Sequence, residues 1–308
     1  MCKQHLTINR VNKYDPTRTT GMRNRFSAAM RRRFKSLASD IRESIVDKDC
    51  FGIQKPTSGL ASLDATQTRQ FEFKTDPEKI KSFMDWLVEQ EKAGVLQSYT
   101  RFTNVSHWTD QFVDAAYKQG VRRAMAEMQS SGMISESTSY TLTAAMAQPI
   151  HREALELMYS RTFEDLKTVT DVMNSQIRTR IADGIRGGLT KGLAEGKSPL
   201  QIARELVADV VNRVDVIGIT RAELIARTEI IRAHHTASIS EYRSIDEDMG
   251  VTVIAEFKTA TDSLVCPDCA SLDGKEFTLA EAEGLIPVHP NCRCVCLPKP
   301  QARDRRAA

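Results

Sequence analysis

Residues 220–258 read TRAELIARTEIIRAHHTASISEYRSIDEDMGVTVIAEFK, and the chain changes its period part-way through them. Thr220-Arg221-Ala222-Glu223 has the capping-box pattern, a hydroxyl for one free backbone N–H and a Glu reaching back to another. A helix is therefore expected from Thr220 to about Tyr242. After Gly250 the apolar residues alternate. Val251, Val253, Ala255 and Phe257 share one face and Thr252, Glu256 and Lys258 the other, as in a half-buried strand. The fold class this predicts is α+β, a mostly helical body followed by a small C-terminal Cys-rich α/β module.

Working outward, helical periods dominate. Thr75-Asp76-Pro77-Glu78 supplies a cap, an early Pro and an acidic first turn. Ile80, Phe83, Met84, Leu87 and Val88 then follow one stripe until Gly94. A second helix is predicted from Thr109 to Ser131, with Val113, Tyr117, Ala124 and Met128 inward. A third stretch covers Ile150 to Gly196, with Ile177, Ile181, Ile185, Leu189 and Leu193 at intervals of four. Ser198-Pro199-Leu200-Gln201 signals another start. Residues 49 to 70, rich in Gly, Pro and Ser, read as a linker. The expected division is a basic arm with linker at 1–60, a helical body at 61–250 and a Cys/His-rich module with a basic tail at 251–308.

The net charge of +3 hides an uneven distribution. Residues 1–48 hold twelve Lys/Arg against four Asp/Glu, and the rest of the chain is acidic. Arg31, Arg32, Arg33 and Lys35 concentrate the excess, and Arg303, Arg305 and Arg306 form a smaller basic end. Such an arm suits non-specific contact with packaged nucleic acid or an acidic protein surface. Phe26, Met30, Phe34, Leu37, Ile41 and Ile45 also trace an apolar stripe, so a local helix over about 24–47 is the competing reading, and both can hold together. Met1 to Arg10 has no apolar core of a secretory signal. The most apolar run, Leu206 to Ile219, is interrupted by Asp209, Arg213 and Asp215, so no membrane span is expected. A soluble protein made in a cytoplasm is the expectation.

Cys2 and Cys50 stand alone, whereas Cys266, Cys269, Cys292, Cys294 and Cys296 fall within 31 residues. Cys266-Pro267-Asp268-Cys269 and His289-Pro290-Asn291-Cys292 each put two donors on one knuckle, the spacing of a closed structural zinc site. Cys266, Cys269, His289 and Cys292 are the expected ligands, with Cys294 as an alternative and Cys296 outside. Buried free thiols and disulfides are the other readings of the same residues. Arg227-Thr228-Glu229 with Arg232 offers ion pairs at helical spacing, and spacing alone favours a solvated charged face. His234 and His235 are adjacent on a helix and diverge, which argues against a shared metal. Gly196-Lys197-Ser198 lacks the earlier glycine of a phosphate loop, since position 191 is Lys191. No enzymatic signature stands out.

The order of motifs carries more than any one of them. Gly196-Lys197-Ser198-Pro199 leads to Ile202-Ala203, then Ala226-Arg227-Thr228-Glu229, Thr261-Asp262, Val265-Cys266-Pro267-Asp268-Cys269, Leu272-Asp273-Gly274-Lys275 and His289-Pro290-Asn291-Cys292-Arg293-Cys294. From about Asn174 to Cys296, about 40% of the chain, this resembles the phage Mu F-like, or head morphogenesis, family of minor head proteins. The family often has a Trp near the strand before the Asp, and here Phe257 takes that place. The resemblance implies a non-enzymatic virion protein at the portal vertex. Its partners would be the portal and other head proteins, with a role in head assembly and in DNA packaging or ejection. It would be made in the host cytoplasm and carried in the phage head. It also singles out Arg227, Thr228, Glu229 and Asp262 as structural motif residues. Two rival classes are a zinc-containing nucleic-acid-binding protein and a transferase or toxin-related enzyme.

Overall fold

The computed structural model describes residues 15–53, 76–101, 104–135, 141–185, 195, 197–249, 252–260 and 262–301. Most of the linker, Thr75, Leu189, Lys191, Leu193, Gly196, Val251, Thr261, Cys2 and the arginines after residue 302 lie outside them. The helices are α1 (Thr20–Arg42), α2 (Asp76–Ala93), α3 (Asp110–Ser130), α4 (Leu142–Ala147), α5 (Pro149–Asp183), α6 (Pro199–Arg213) and α7 (Thr220–Met249). Short strands β1 (Ser98–Arg101) and β2 (Asn104–His107) pair, and the C-terminal module follows α7. It comprises β3 (Val253–Lys258), α8 (Pro267–Ala270), β4 (Glu276–Thr278), α9 (Leu279–Ala282) and β5 (Val295–Pro300). A mostly helical chain with a small sheet at its C-terminal end is the α+β class expected.

The chain forms two compact units that are not consecutive in sequence. One draws on 1–27, 106–163 and 224–308, the other on 28–105 and 164–223. In the first, β3 is the centre of an antiparallel sheet in the order β4-β3-β5. Ala255 pairs with Phe277 on one side and Pro298 on the other. Val253, Ala255 and Phe257 are buried, as the alternation predicted, and join Ile231, Ile239, Tyr242, Ile245, Leu279 and Ile286 in one core. β5 is an edge strand, which is where Pro298 and Pro300 cost no ladder bond. α3 crosses α7 at Gly120: a Cβ there would lie 2.4 Å from the His234 carbonyl oxygen. Only glycine permits that approach.

In the second unit the stripe of α1 is inside. Met30, Phe34 and Ile41 are 0% exposed, with Ile45 in the π-helical turn Glu43–Asp47 that follows. Phe83 and Leu87 of α2, Met173, Ile177 and Ile181 of α5, and Val207 and Val210 of α6 are buried in the same unit. α6 starts at the predicted capping box. Gln201 N–H donates to Ser198 Oγ at 3.2 Å, and Gln201 Oε1 accepts from Ser198 N–H at 2.7 Å.

The predicted start at Thr220 is corrected. A π-helical turn, Val214–Ile219, carries α6 straight into α7. Thr220 has helical angles, φ −62° and ψ −45°, and its hydroxyl donates back to the Asp215 carbonyl at 3.2 Å. An N-cap needs an extended backbone and free amides ahead of it. A wide turn instead keeps the amides bonded, so the hydroxyl has no cap to make. α7 also runs past Tyr242, to Met249.

Candidate metal centre

The two knuckles come together on one side of the C-terminal sheet. Cys266 caps α8, with its Sγ accepting the Cys269 amide at 3.4 Å and Pro267 at the first helical position. That single turn sets both sulfurs on the same side. The second knuckle bends at Asn291, whose φ of 64° lies in the left-handed region that Asn tolerates better than most residues. The Cys292 amide donates to the His289 carbonyl at 3.1 Å and closes the turn. None of the six described cysteines is in a disulfide.

Donor atoms of Cys266, Cys269 and His289 lie within 4.8 Å of one another, and so do those of Cys269, Cys292 and Cys294. A tetrahedral ion with Zn–S bonds of about 2.3 Å holds its sulfurs about 3.8 Å apart, so either set needs only small adjustment. His289 Nε2 is 3.2 Å from both Cys266 Sγ and Cys269 Sγ. Its Nδ1 lies 2.8 Å from the Pro290 carbonyl oxygen. A proton donated there leaves the Nε2 lone pair facing the sulfurs, the usual arrangement of a metal-binding histidine. Burial opposes charging of His289, but the Pro290 carbonyl and the sulfurs of Cys292 and Cys266 outweigh it and raise its proton affinity. Cys269 is pushed up by hydrogen bonding with Cys292 and Cys294, and Cys292 is pushed down by accepting from the same group. A cation bound there would offset the negative charge that this favours on Cys292. The predicted quartet is divided between two triads sharing Cys269, and Cys294 belongs to one of them.

The other sequence-selected residues are placed as follows. Glu229 is 2% exposed, 3.0 Å from Arg232 Nε and 3.9 Å from Arg161 Nε of α5. The solvated charged face favoured by spacing is therefore corrected at Glu229, which is buried with the local Arg232 and, farther off, Arg161 of α5 against it. Thr228 donates to the Leu224 carbonyl at 2.8 Å. Asp262 receives both guanidinium nitrogens of Arg293, at 2.6 and 2.8 Å. Arg293, one residue from two of the candidate ligands, is a site residue that spacing did not single out. The sequence HPNCRC held the signal. His234 and His235 are buried, with proton affinities lowered to about 3 and about 4 by burial. His235 Nε2 is 2.8 Å from the Ala282 carbonyl oxygen and so joins α7 to α9. In the basic run, Arg31 pairs with Glu223 at 2.5 Å, and Arg33 donates to the Gly94 carbonyl. Arg32 and Lys35 are exposed.

Helical residues leading into a small antiparallel module that carries a Cys/Cys and a His/Cys knuckle define the class: a helical protein with a Cys/His-bearing C-terminal module. Residues 183–297 are similar to the family model described as Phage Mu protein F like protein, the family that the motif order resembles. No curated protein matches the chain, and no solved structure does. No described helix is long and apolar enough to cross a membrane.

Proposed function

We propose that the chain is a minor head protein of a tailed bacteriophage, associated with the portal and acting in head morphogenesis and in DNA packaging or ejection. The family match over residues 183–297 carries this reading, since it spans α6, α7 and the Cys/His module together. The protein is read as structural, and Arg227, Thr228, Glu229 and Asp262 as architectural. Mass spectrometry of purified particles, and co-purification with the portal protein, test it. Absence from mature heads and no portal association would overturn it. So would nucleotide turnover that vanishes in Glu229→Gln.

The Cys/His centre is read as a structural zinc site held by Cys266, Cys269, His289 and Cys292, with Cys294 the alternative to His289 or Cys292. Five soft donors gathered on a small module, one imidazole already oriented, support it. When bound, the ion would supply cross-linking of the two knuckles.

The exposed face of α1 is read as the contact for packaged DNA or an acidic portal surface. Arg32 and Lys35 are the residues we assign to it, because Arg31 and Arg33 already serve internal acceptors. Phosphate contacts of this kind weaken steeply with salt. Arg32→Ser/Lys35→Ser should bind duplex DNA more weakly than the parent at low salt. Equal binding would leave α1 a packing element.

A further inference from the structure

The C-terminal module gathers more donors than one tetrahedral ion can use. A structural zinc takes four ligands. Cys266, Cys269, His289, Cys292 and Cys294 make five, and among the described residues no four of them lie mutually within 4.8 Å. They meet instead as an outer triad, Cys266, Cys269 and His289, and an inner triad, Cys269, Cys292 and Cys294. Cys269 belongs to both. A thiolate sulfur has lone pairs enough to bridge two ions.

The two triads differ in chemistry and in access to water. Cys266 and His289 are half-buried, so water can complete a tetrahedron on the outer side, and an imidazole beside thiolates suits zinc. In the inner triad Cys269, Cys292 and Cys294 are 2%, 1% and 4% exposed, and every donor is sulfur. No fourth His, Cys, Asp or Glu joins that group among the described residues; Cys296, two positions on and equally buried, belongs to neither triad. Three sulfurs shut away from water suit a soft ion that accepts trigonal coordination, which is cuprous copper rather than zinc. The charges also allow it. Zinc on three thiolates and one imidazole carries about −1, with Cys294 a thiol beside it. A monovalent ion that takes the place of the Cys294 proton leaves the total at about −1, so the inner seat fills without adding charge to a buried site.

We propose that the module is a two-ion centre, in which a soft monovalent ion of the cuprous class seats on Cys269, Cys292 and Cys294 beside the zinc, with the Cys269 sulfur bridging the two. This rests on the zinc reading above and goes beyond it. No electron is transferred. Cys294 releases its proton to solvent as its sulfur binds the second ion. Cys292 passes from zinc to that ion, and water takes its place on zinc at the half-exposed side.

Metal analysis of the full chain tests this. Zinc-loaded protein, kept anaerobic and reduced, is given one equivalent of cuprous ion buffered by a competing chelator, then desalted and analysed for both metals. The expected content is about one copper beside about one zinc per chain. X-ray absorption at the copper edge should show three sulfur neighbours with a zinc beyond them, a readout that needs no variant. Cys294→Ser should keep its zinc and lose the copper, and Cys296→Ser should keep both. Copper that displaces zinc one for one, no copper uptake, or Cys294→Ser taking up copper like the parent overturns the second seat and leaves the zinc reading standing. A chain that takes up no zinc overturns the zinc reading and the two-ion centre with it.

Discussion

Glu91 is a carboxyl in the wrong place for its ordinary chemistry, and neutralising it should change how the protein responds to pH. It lies in the last turn of α2 at 2% exposure, with Asn174 Nδ2 of α5 donating to its Oε2 at 2.7 Å. Glu91 Oε1 and Asn174 Oδ1 are both buried without a partner among the described residues. Burial pushes the carboxyl up from 4.5 to about 7; the Asn174 bond opposes the shift and Asp171 adds to it. At about 1.4 kcal/mol per pH unit, the difference is worth at most about 3 kcal/mol. The folded value is raised, so the folded chain holds a proton that the unfolded chain has released between pH 4.5 and about 7. The contribution to stability is complete below about 4.5 and is lost as pH rises through about 7.

Glu91→Gln keeps a carbonyl for Asn174 Nδ2 and adds an N–H of a kind that Asn174 Oδ1 lacks. The variant should match the parent near pH 4 and exceed it by about 2–3 kcal/mol at pH 8, where the parent carries a buried charge. Urea unfolding followed by circular dichroism from pH 4 to 9 measures this. Hydrogen exchange along α2 localises the gain. Parallel parent and variant curves across that range, or a variant less stable at pH 8, would refute the reasoning.

Four further outcomes follow from the packing and the metal centre. Elemental analysis of protein purified without chelator should find about one zinc per chain, and a content near zero would remove the site. Cys269 belongs to both donor sets, so Cys269→Ser should abolish zinc uptake while Cys294→Ser retains it. Equal loss in the two would mean that Cys294 is a ligand. Gly120→Ala should lower the unfolding midpoint and cost about 3 kcal/mol or more, because the added methyl meets the backbone of α7 rather than a movable side chain. Glu241→Ala should cost about 1–3 kcal/mol, since it removes the carboxylate 3.1 Å from His151 Nε2, both groups at 0% exposure, while His151 Nδ1 keeps the Tyr117 hydroxyl.

Much of the helical part was legible because burial of one face imposes a period on the chain. The stripes of α1, α2 and α3 and the alternation of β3 each name the residues found inside. The paired Cys and His spacings likewise fix which donors one knuckle can present, since two intervening residues make one turn. The charged residues were less legible. Glu229 read as part of a solvated face and Glu223 as a capping residue, because local spacing carries no record of a distant cation. Glu223 pairs with Arg31 of α1, and Glu229 has Arg161 of α5 beside it as well as the local Arg232.

By itself, then, the sequence determined the local periods, the α+β class and the identity of the donors, all of which depend on residues a few positions apart. Tertiary structure alone decided that the donors divide into two triads around Cys269, that Arg293 turns onto Asp262, and that Arg123 of α3 donates to the Pro16 carbonyl. It also decided that segments from three parts of the chain make one compact unit. Each of these depends on contacts between residues far apart in sequence, and the free energy of such a contact is set by what surrounds it once the chain has folded.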